Sequence, residues 1–126
     1  MLKVSILSLA IAGIALSNTT SHFSKPVIMS NKAIYVAENK KIATTIKTDV
    51  YKDIRYRIIK GVDKDHFSLD KKSGELSFIK LPNFEKPKDF NQDNKYEVTI
   101  MIKDKKGNKD KKNLIVTVLD VVELSD

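Results

Sequence analysis

Six acidic residues stand at or near the ends of segments that alternate between polar and apolar residues. They are Glu38, Asp49, Glu85, Asp104, Asp120 and Glu123. Loops at strand ends are where proteins commonly collect ligands. Carboxylates in such places can act as acid and base on a substrate, or they can offer oxygen atoms to a hard cation. Each acid alone is explained by ordinary solvation, so their arrangement along the chain must decide between these uses.

Other catalytic groups are scarce in this sequence. Only two histidines are present, His22 and His66, which argues against both a histidine-based zinc site and a Ser-His-Asp set. The four glycines form no phosphate-binding loop, and there is no cysteine to supply a thiolate or a disulfide. A carboxylate pair for glycoside hydrolysis stays open in principle, but the small size of the domain argues against it. We expect a binding protein, not an enzyme.

The N-terminus has the features of a secretion signal. Lys3 precedes an apolar run from Val4 to Leu16, and Ala15 and Ser17 are small residues suited to cleavage. A membrane anchor is the alternative, but a spanning helix needs about 20 apolar residues and this run is shorter. We therefore predict a signal peptide over 1–17, a flexible tether over 18–26 and one domain over 27–126. The mature protein would be periplasmic, secreted or at the cell surface.

The acids are positioned by segments whose apolar residues recur every second position, the pattern of half-buried strands. The clearest runs from Tyr96 to Lys103, with Tyr96, Val98, Ile100 and Ile102 on one face. Similar alternation predicts six more strands, at Ile34–Val36, Ile42–Ile46, Ile54–Ile58, Phe67–Leu69, Leu76–Phe78 and Leu114–Val118. Gly74 supplies the positive φ that the turn between the fourth and fifth strands needs.

Seven short strands without a helical period predict an all-β fold. A Greek-key β-sandwich of the immunoglobulin type fits best, and a closed barrel is the alternative. Seven residues should be buried in its core: Phe67, Leu76, Tyr96, Val98, Ile100, Val116 and Val118.

The chain is basic, with a net charge of +7. Removing the leader would take away Lys3 and leave +6. Lysines crowd around one predicted hairpin, at Lys103, Lys105, Lys106, Lys109, Lys111 and Lys112. Nucleic acid is not the expected partner, because tryptophan is absent and most aromatic residues fall at core positions. An anionic polysaccharide or lipid surface remains an alternative partner.

In chain order, several segments resemble the motifs of a cadherin repeat. The most specific is the hairpin Phe67–Leu76, which is similar to the family pattern F-x-[LI]-D-x-x-[ST]-G-x-[LI]. Val36-Ala37-Glu38-Asn39 and Tyr56-x-Ile58 precede this hairpin as the family's motifs do. Three further motifs follow it, at Asn83-Phe84-Glu85, Tyr96–Asp104 and Val116–Val121. The resemblance covers about Ile34 to Glu123.

The resemblance implies an adhesion module that binds calcium between successive repeats. Carried over by position, the family's ligands at one end of the sandwich would be Glu38, Glu85, Asp120 and the nearby Glu123. Asp49 and Asp104 would lie at the opposite end. A single repeat would then offer two half-sites for Ca²⁺.

The sequence departs from the family pattern at several ligand positions. Asn83 stands in place of the loop aspartate, Tyr51 replaces the second acid of D-x-D, and Val122-Glu123-Leu124 replaces N-D-N. Calcium takes six to eight oxygen ligands, and its affinity depends on how many are charged. We therefore expect weak calcium binding by an exported module that engages a protein partner or a second copy. The alternative is a basic module that binds an anionic surface without calcium.

Overall fold

A computed structural model of the chain describes residues 25–50 and 52–122. Within them lie seven strands and one short 3₁₀ turn. The strands are β1 (Ala33–Ala37), β2 (Ile42–Thr45), β3 (Arg55–Lys60), β4 (Phe67–Leu69), β5 (Glu75–Phe78), β6 (Lys95–Lys103) and β7 (Lys109–Leu119). The 3₁₀ turn, Lys64–His66, leads into β4. No helix among these residues is long and apolar enough to cross a membrane.

The strands form two separate sheets, which makes the fold a sandwich and not a barrel. One sheet has the order β1-β7-β6-β3 and the other β2-β5-β4. All pairs within the sheets are antiparallel except β1 and β7, which run parallel with Ala33 opposite Ile115 and Ala37 opposite Leu119. The C-terminal ends of β1 and β7 therefore lie side by side at the same end of the sandwich.

The core lies between the sheets and follows the period of two. On β6, Tyr96, Val98, Ile100 and Ile102 are all at most 2 % exposed. Burying one face of each strand removes its apolar side chains from water, the main favourable contribution to folding. All seven residues predicted to be buried are buried. Three aromatic rings pack together at one point of this core, those of Phe67, Phe78 and Tyr96.

The all-β sandwich prediction is confirmed, and each of the seven strands lies where alternation placed it. The last strand is longer than expected, because it begins at Lys109 and not near Leu114. The predicted leader, 1–17, lies outside the described residues, as does most of the predicted tether. Pro26, the last residue assigned to that tether, is fully buried.

Candidate functional site

The acidic end of the sandwich is built by three polypeptide segments. Glu38 follows β1, Asp120 follows β7, and Glu85 lies in the loop between β5 and β6. The parallel β1–β7 pairing continues past the strands, since the Glu38 N–H donates to the Leu119 carbonyl at 3.0 Å. This pairing brings Glu38 and Asp120 to the same place although they are far apart in sequence.

Carboxylate oxygens of Glu38, Glu85 and Asp120 all lie within 4.8 Å of one another. Glu38 is buried, whereas Glu85 and Asp120 are exposed. The three acids border a shallow depression that is also lined by Asn39, Lys40 and Val121. Sequence reasoning named all three acids, and we call them the acidic cluster.

Glu38 is the fixed member of the acidic cluster. Its Oε1 accepts the Phe84 N–H at 3.1 Å, and its Oε2 accepts the Val121 N–H at 3.0 Å. These two bonds lower the pKa of Glu38 below its usual value, because hydrogen bonding to the charged form favours it. The ionised Glu38 side chain thus ties β1 to both of the segments that carry the other acids.

Asp120 experiences the opposite effect. The hydrogen bond with the Glu38 side chain, partial desolvation and the negative charge of Glu38 together raise the pKa of Asp120. Two carboxylates this close repel each other when both are ionised. A cation bound at the acidic cluster would reduce this repulsion.

The loop that carries Glu85 is held by amide side chains that sequence reasoning did not assign to a role in it. The Asn83 Oδ1 accepts the Glu85 N–H at 3.0 Å, forming a local turn, and the Asn94 Nδ2 donates to the Phe84 carbonyl at 2.9 Å. Asn83 occupies the position of the family's loop aspartate, and here its oxygen is used within the loop. Asparagine favours such turns, because its side chain can bond to the backbone two residues further on. This preference is the feature of the sequence that could have indicated the turn.

The two acids predicted for the opposite end have structural hydrogen bonds. The Asp49 Oδ1 accepts the Val27 N–H at 2.7 Å and so fastens the segment that precedes β1. Asp104 closes the β6–β7 turn, where its Oδ1 accepts the N–H groups of Lys106 and Asn108. Partial desolvation opposes a low pKa for Asp104, but the bonds from Asn108, Lys106 and Gly107 lower it overall. Among the described residues, neither acid joins a cluster of three.

Glu123, the fourth acid expected at the acidic end, and Tyr51, the family departure at the other end, lie outside the described residues. Val122, which precedes Glu123, is 77 % exposed.

Comparison with known proteins identifies the fold. No family model matches this sequence, and no curated protein matches it either. The third cadherin domain of human protocadherin 7 is similar in structure, with a TM-score of 0.60 and 19 % identity over 76 % of this chain and 87 % of that domain. Human protocadherin-24 EC1-2 gives a TM-score of 0.60 with 19 % identity, covering 77 % of this chain and 45 % of that one.

Longer cadherin chains match in the same way. Drosophila N-cadherin EC1-4 has a TM-score of 0.58 and 14 % identity, covering 90 % of this chain and 29 % of that one. This chain spans only 22 % of the protocadherin gamma B2 chain that contains extracellular domains 3–6. The described part of the protein therefore has the fold of one cadherin repeat.

Proposed function

We propose that this chain is an exported cadherin-like binding module that serves adhesion through a protein partner or a second copy. Its acidic cluster is proposed as a weak calcium site. The observation that carries the calcium proposal is the convergence of the Glu38, Glu85 and Asp120 oxygens within 4.8 Å at one end of a cadherin-like sandwich.

The donor set suits a hard cation, because it consists of carboxylate oxygens without nitrogen or sulfur. Each Glu38 oxygen accepts one backbone N–H and has a further lone pair for a cation. The three carboxylates bring one oxygen each to within 4.8 Å of the others, which is fewer than the six to eight oxygens that calcium takes, so water must complete the shell. We expect a dissociation constant of roughly 10⁻⁴ to 10⁻³ M or weaker, the range of extracellular modules.

An apolar surface beside the acidic cluster supports a protein partner. Leu119, Val121 and Val122 are 45 %, 48 % and 77 % exposed, and Tyr35 on the neighbouring strand is 64 % exposed. Exposed apolar groups of this kind are typical of interaction sites. One similar structure, of protocadherin gamma B7 EC3-6, is described as a cis-dimer. A calcium ion at the acidic cluster would add to the hold on the segment that carries Val121, whose N–H already donates to Glu38.

Thermal melting with and without calcium tests the metal site. Calcium at about ten times its dissociation constant should add RT ln 11, or about 1.4 kcal/mol, to the free energy of unfolding. Glu85→Gln should abolish the rise in melting temperature, because it removes one charged ligand. Glu75→Gln, on β5 outside the acidic cluster, should leave the rise intact. An unmoved wild-type melting curve at about 10 mM calcium, ten times the upper end of the expected range of dissociation constants, would refute the calcium site.

Self-association and export need separate measurements. Light scattering across a concentration series, with and without calcium, should show a dimer that Val121→Asp and Val122→Asp together weaken. A monomer at every concentration would refute self-association and leave only a different protein as partner. Mass spectrometry of exported protein should give an N-terminus near Asn18, and intact Met1 in membrane fractions would contradict cleavage of the leader.

A further inference from the structure

The outer face of the four-stranded sheet carries a group of exposed cations at the end opposite the acidic cluster. They occupy three adjacent strands: Arg55 and Arg57 on β3, Lys103 on β6, and Lys109 and Lys111 on β7. On β3 they flank the buried Tyr56, which faces the core, so their side chains point to the solvent face. We call these five residues the basic face.

Strand register arranges the basic face in two rows. Arg55 pairs with Lys103, which in turn pairs with Lys109. In the next row Arg57 pairs with Met101, which pairs with Lys111. Neighbouring strands lie about 4.8 Å apart and residues two apart along a strand about 6.7 Å, so the rows form a flat array roughly 10 Å by 7 Å.

Like charges directly opposite each other on a sheet destabilise it, and none of the nearby described acids forms an ion pair with these cations. Among the described residues, the one ion pair is between Lys64 and Asp65, on the turn before β4. Asp104 uses its carboxylate on the β6–β7 turn, and the Asp110 Oδ2 accepts the Ile28 N–H at 2.8 Å. Asp53 and Asp104 border a small depression together with Arg55 and Lys105. The five cations of the basic face outnumber these three acids, so the face keeps a positive field toward solvent.

Three lysines of the β6–β7 hairpin region do not belong to the basic face. The Lys112 Nζ donates to the Ser30 carbonyl at 2.5 Å, which directs it away from the basic face. Lys105 and Lys106 lie on the exposed turn and extend the positive field beyond the end of the sheet. Arg55 and Arg57, which come from a different part of the sequence, complete the array.

We propose that the basic face binds an extended anionic polysaccharide, in which sulfate or carboxylate groups pair with the two rows of cations. A flat array fits a chain that lies along the sheet. The face lacks an aromatic residue on which nucleic-acid bases could stack, and its one apolar side chain, Met101, is half-buried and offers little for insertion into a lipid surface. This inference is independent of the calcium proposal, because the two sites lie at opposite ends of the sandwich.

Affinity for a heparin hexasaccharide, followed by fluorescence anisotropy at rising salt, tests the proposal. The double variant R57E/K111E should weaken binding by at least about tenfold at low ionic strength. The matched variant K80E/K86E changes the net charge equally on the loop after β5, and it should weaken binding by no more than about threefold. Calcium should not alter either result.

Equal losses in the two double variants would show a response to net charge alone and overturn the proposal. Equal or tighter binding to phosphatidylserine vesicles or to duplex DNA would assign the face to lipid or nucleic acid and also overturn it. If R57E/K111E fails to fold by circular dichroism, the neutral variant R57Q/K111Q replaces it, and unchanged heparin affinity in that folded variant overturns the proposal.

Discussion

Glu38 and Asp120 lie together as carboxylates with opposite pKa shifts. Backbone bonds from Val121 and Phe84 lower the pKa of Glu38, whereas the hydrogen bond and the charge of Glu38 raise the pKa of Asp120. The fold therefore stabilises the ionised form of Glu38, whereas the neighbouring Glu38 destabilises the ionised form of Asp120. The two residues should therefore respond in opposite directions to loss of charge.

Without calcium, Asp120→Asn should raise the melting temperature at pH 7, because it removes the repulsion and can donate a hydrogen bond to Glu38. Glu38→Gln should lower it, because the new amide NH₂ group would face a backbone N–H of Phe84 or Val121. Both variants are compared with wild type by thermal melting in a chelating buffer. Destabilisation by both substitutions would contradict the unequal roles.

Asp70, which lies outside the acidic cluster, should make a contribution to stability that depends on pH. Its Oδ1 accepts the N–H groups of Ser73 and Lys72 at 2.8 Å each, and these bonds lower the pKa of Asp70 from its ordinary value of 3.8. A lowered folded-state pKa gives stability that is present above the unfolded pKa and is lost as pH falls through the folded one. Asp70→Asn should therefore destabilise the domain at pH 7, and its difference from wild type should shrink as pH falls below the ordinary Asp pKa of 3.8.

Urea unfolding at several pH values measures this difference. The matched control is Glu97→Gln, which removes an exposed carboxylate near the start of β6. An Asp70→Asn deficit of the same size at pH 7 and pH 3 would show that geometry, and not charge, stabilises the turn.

Much of the fold could be predicted because one-sided burial leaves a period of two in the sequence. The first half of β7 escaped prediction for a physical reason. Its inward positions are occupied by Asp110 and Lys112, which bond to the Ile28 N–H and the Ser30 carbonyl and are not apolar. Because polar groups of the segment before β1 pair with these two side chains, the inward positions need not be apolar. The alternation that would have indicated a strand is therefore missing from this part of the sequence.

The sequence indicated the acidic cluster only through the order of its acids along the chain, which resembles the order of motifs in a cadherin repeat. The bonds that fix Glu38 join residues 46 and 83 positions apart, and such pairs depend on the tertiary fold. The same limit applies to Asp49 and Asp104. Acids at strand ends can bind an ion or cap a turn, and only the structure shows that these two accept backbone N–H groups.

Ile100 tests the core that alternation predicted. Its side chain is 0 % exposed at the centre of β6, so Ile100→Ala should lower the free energy of unfolding by roughly 2 to 5 kcal/mol. Ile79→Ala, at a position that is 56 % exposed, should have a much smaller effect. Denaturant titration measures both, and equal effects would contradict the described packing.

Asp63 links its own loop, between β3 and β4, to the loop between β5 and β6 and to β6 itself. It is 2 % exposed, its Oδ1 accepts the Phe90 N–H at 2.7 Å, and its Oδ2 accepts the Glu97 N–H at 2.8 Å. Hydrogen bonds to a charged group contribute about 1.5 to 3 kcal/mol each, and these two are part-buried, so Asp63→Ala should cost roughly 2 to 6 kcal/mol.

The control for Asp63 is its neighbour Asp65, whose side chain is 92 % exposed and pairs with Lys64 at 3.3 Å. Asp65→Ala should cost at most about 1 kcal/mol, because exposed ion pairs contribute little. Hydrogen exchange adds a local readout, since Asp63→Ala should accelerate exchange of the Phe90 and Glu97 amides more than that of Ile100. If the two substitutions cost the same, or if the Phe90 and Glu97 amides stay as protected as in wild type, Asp63 does not link these segments.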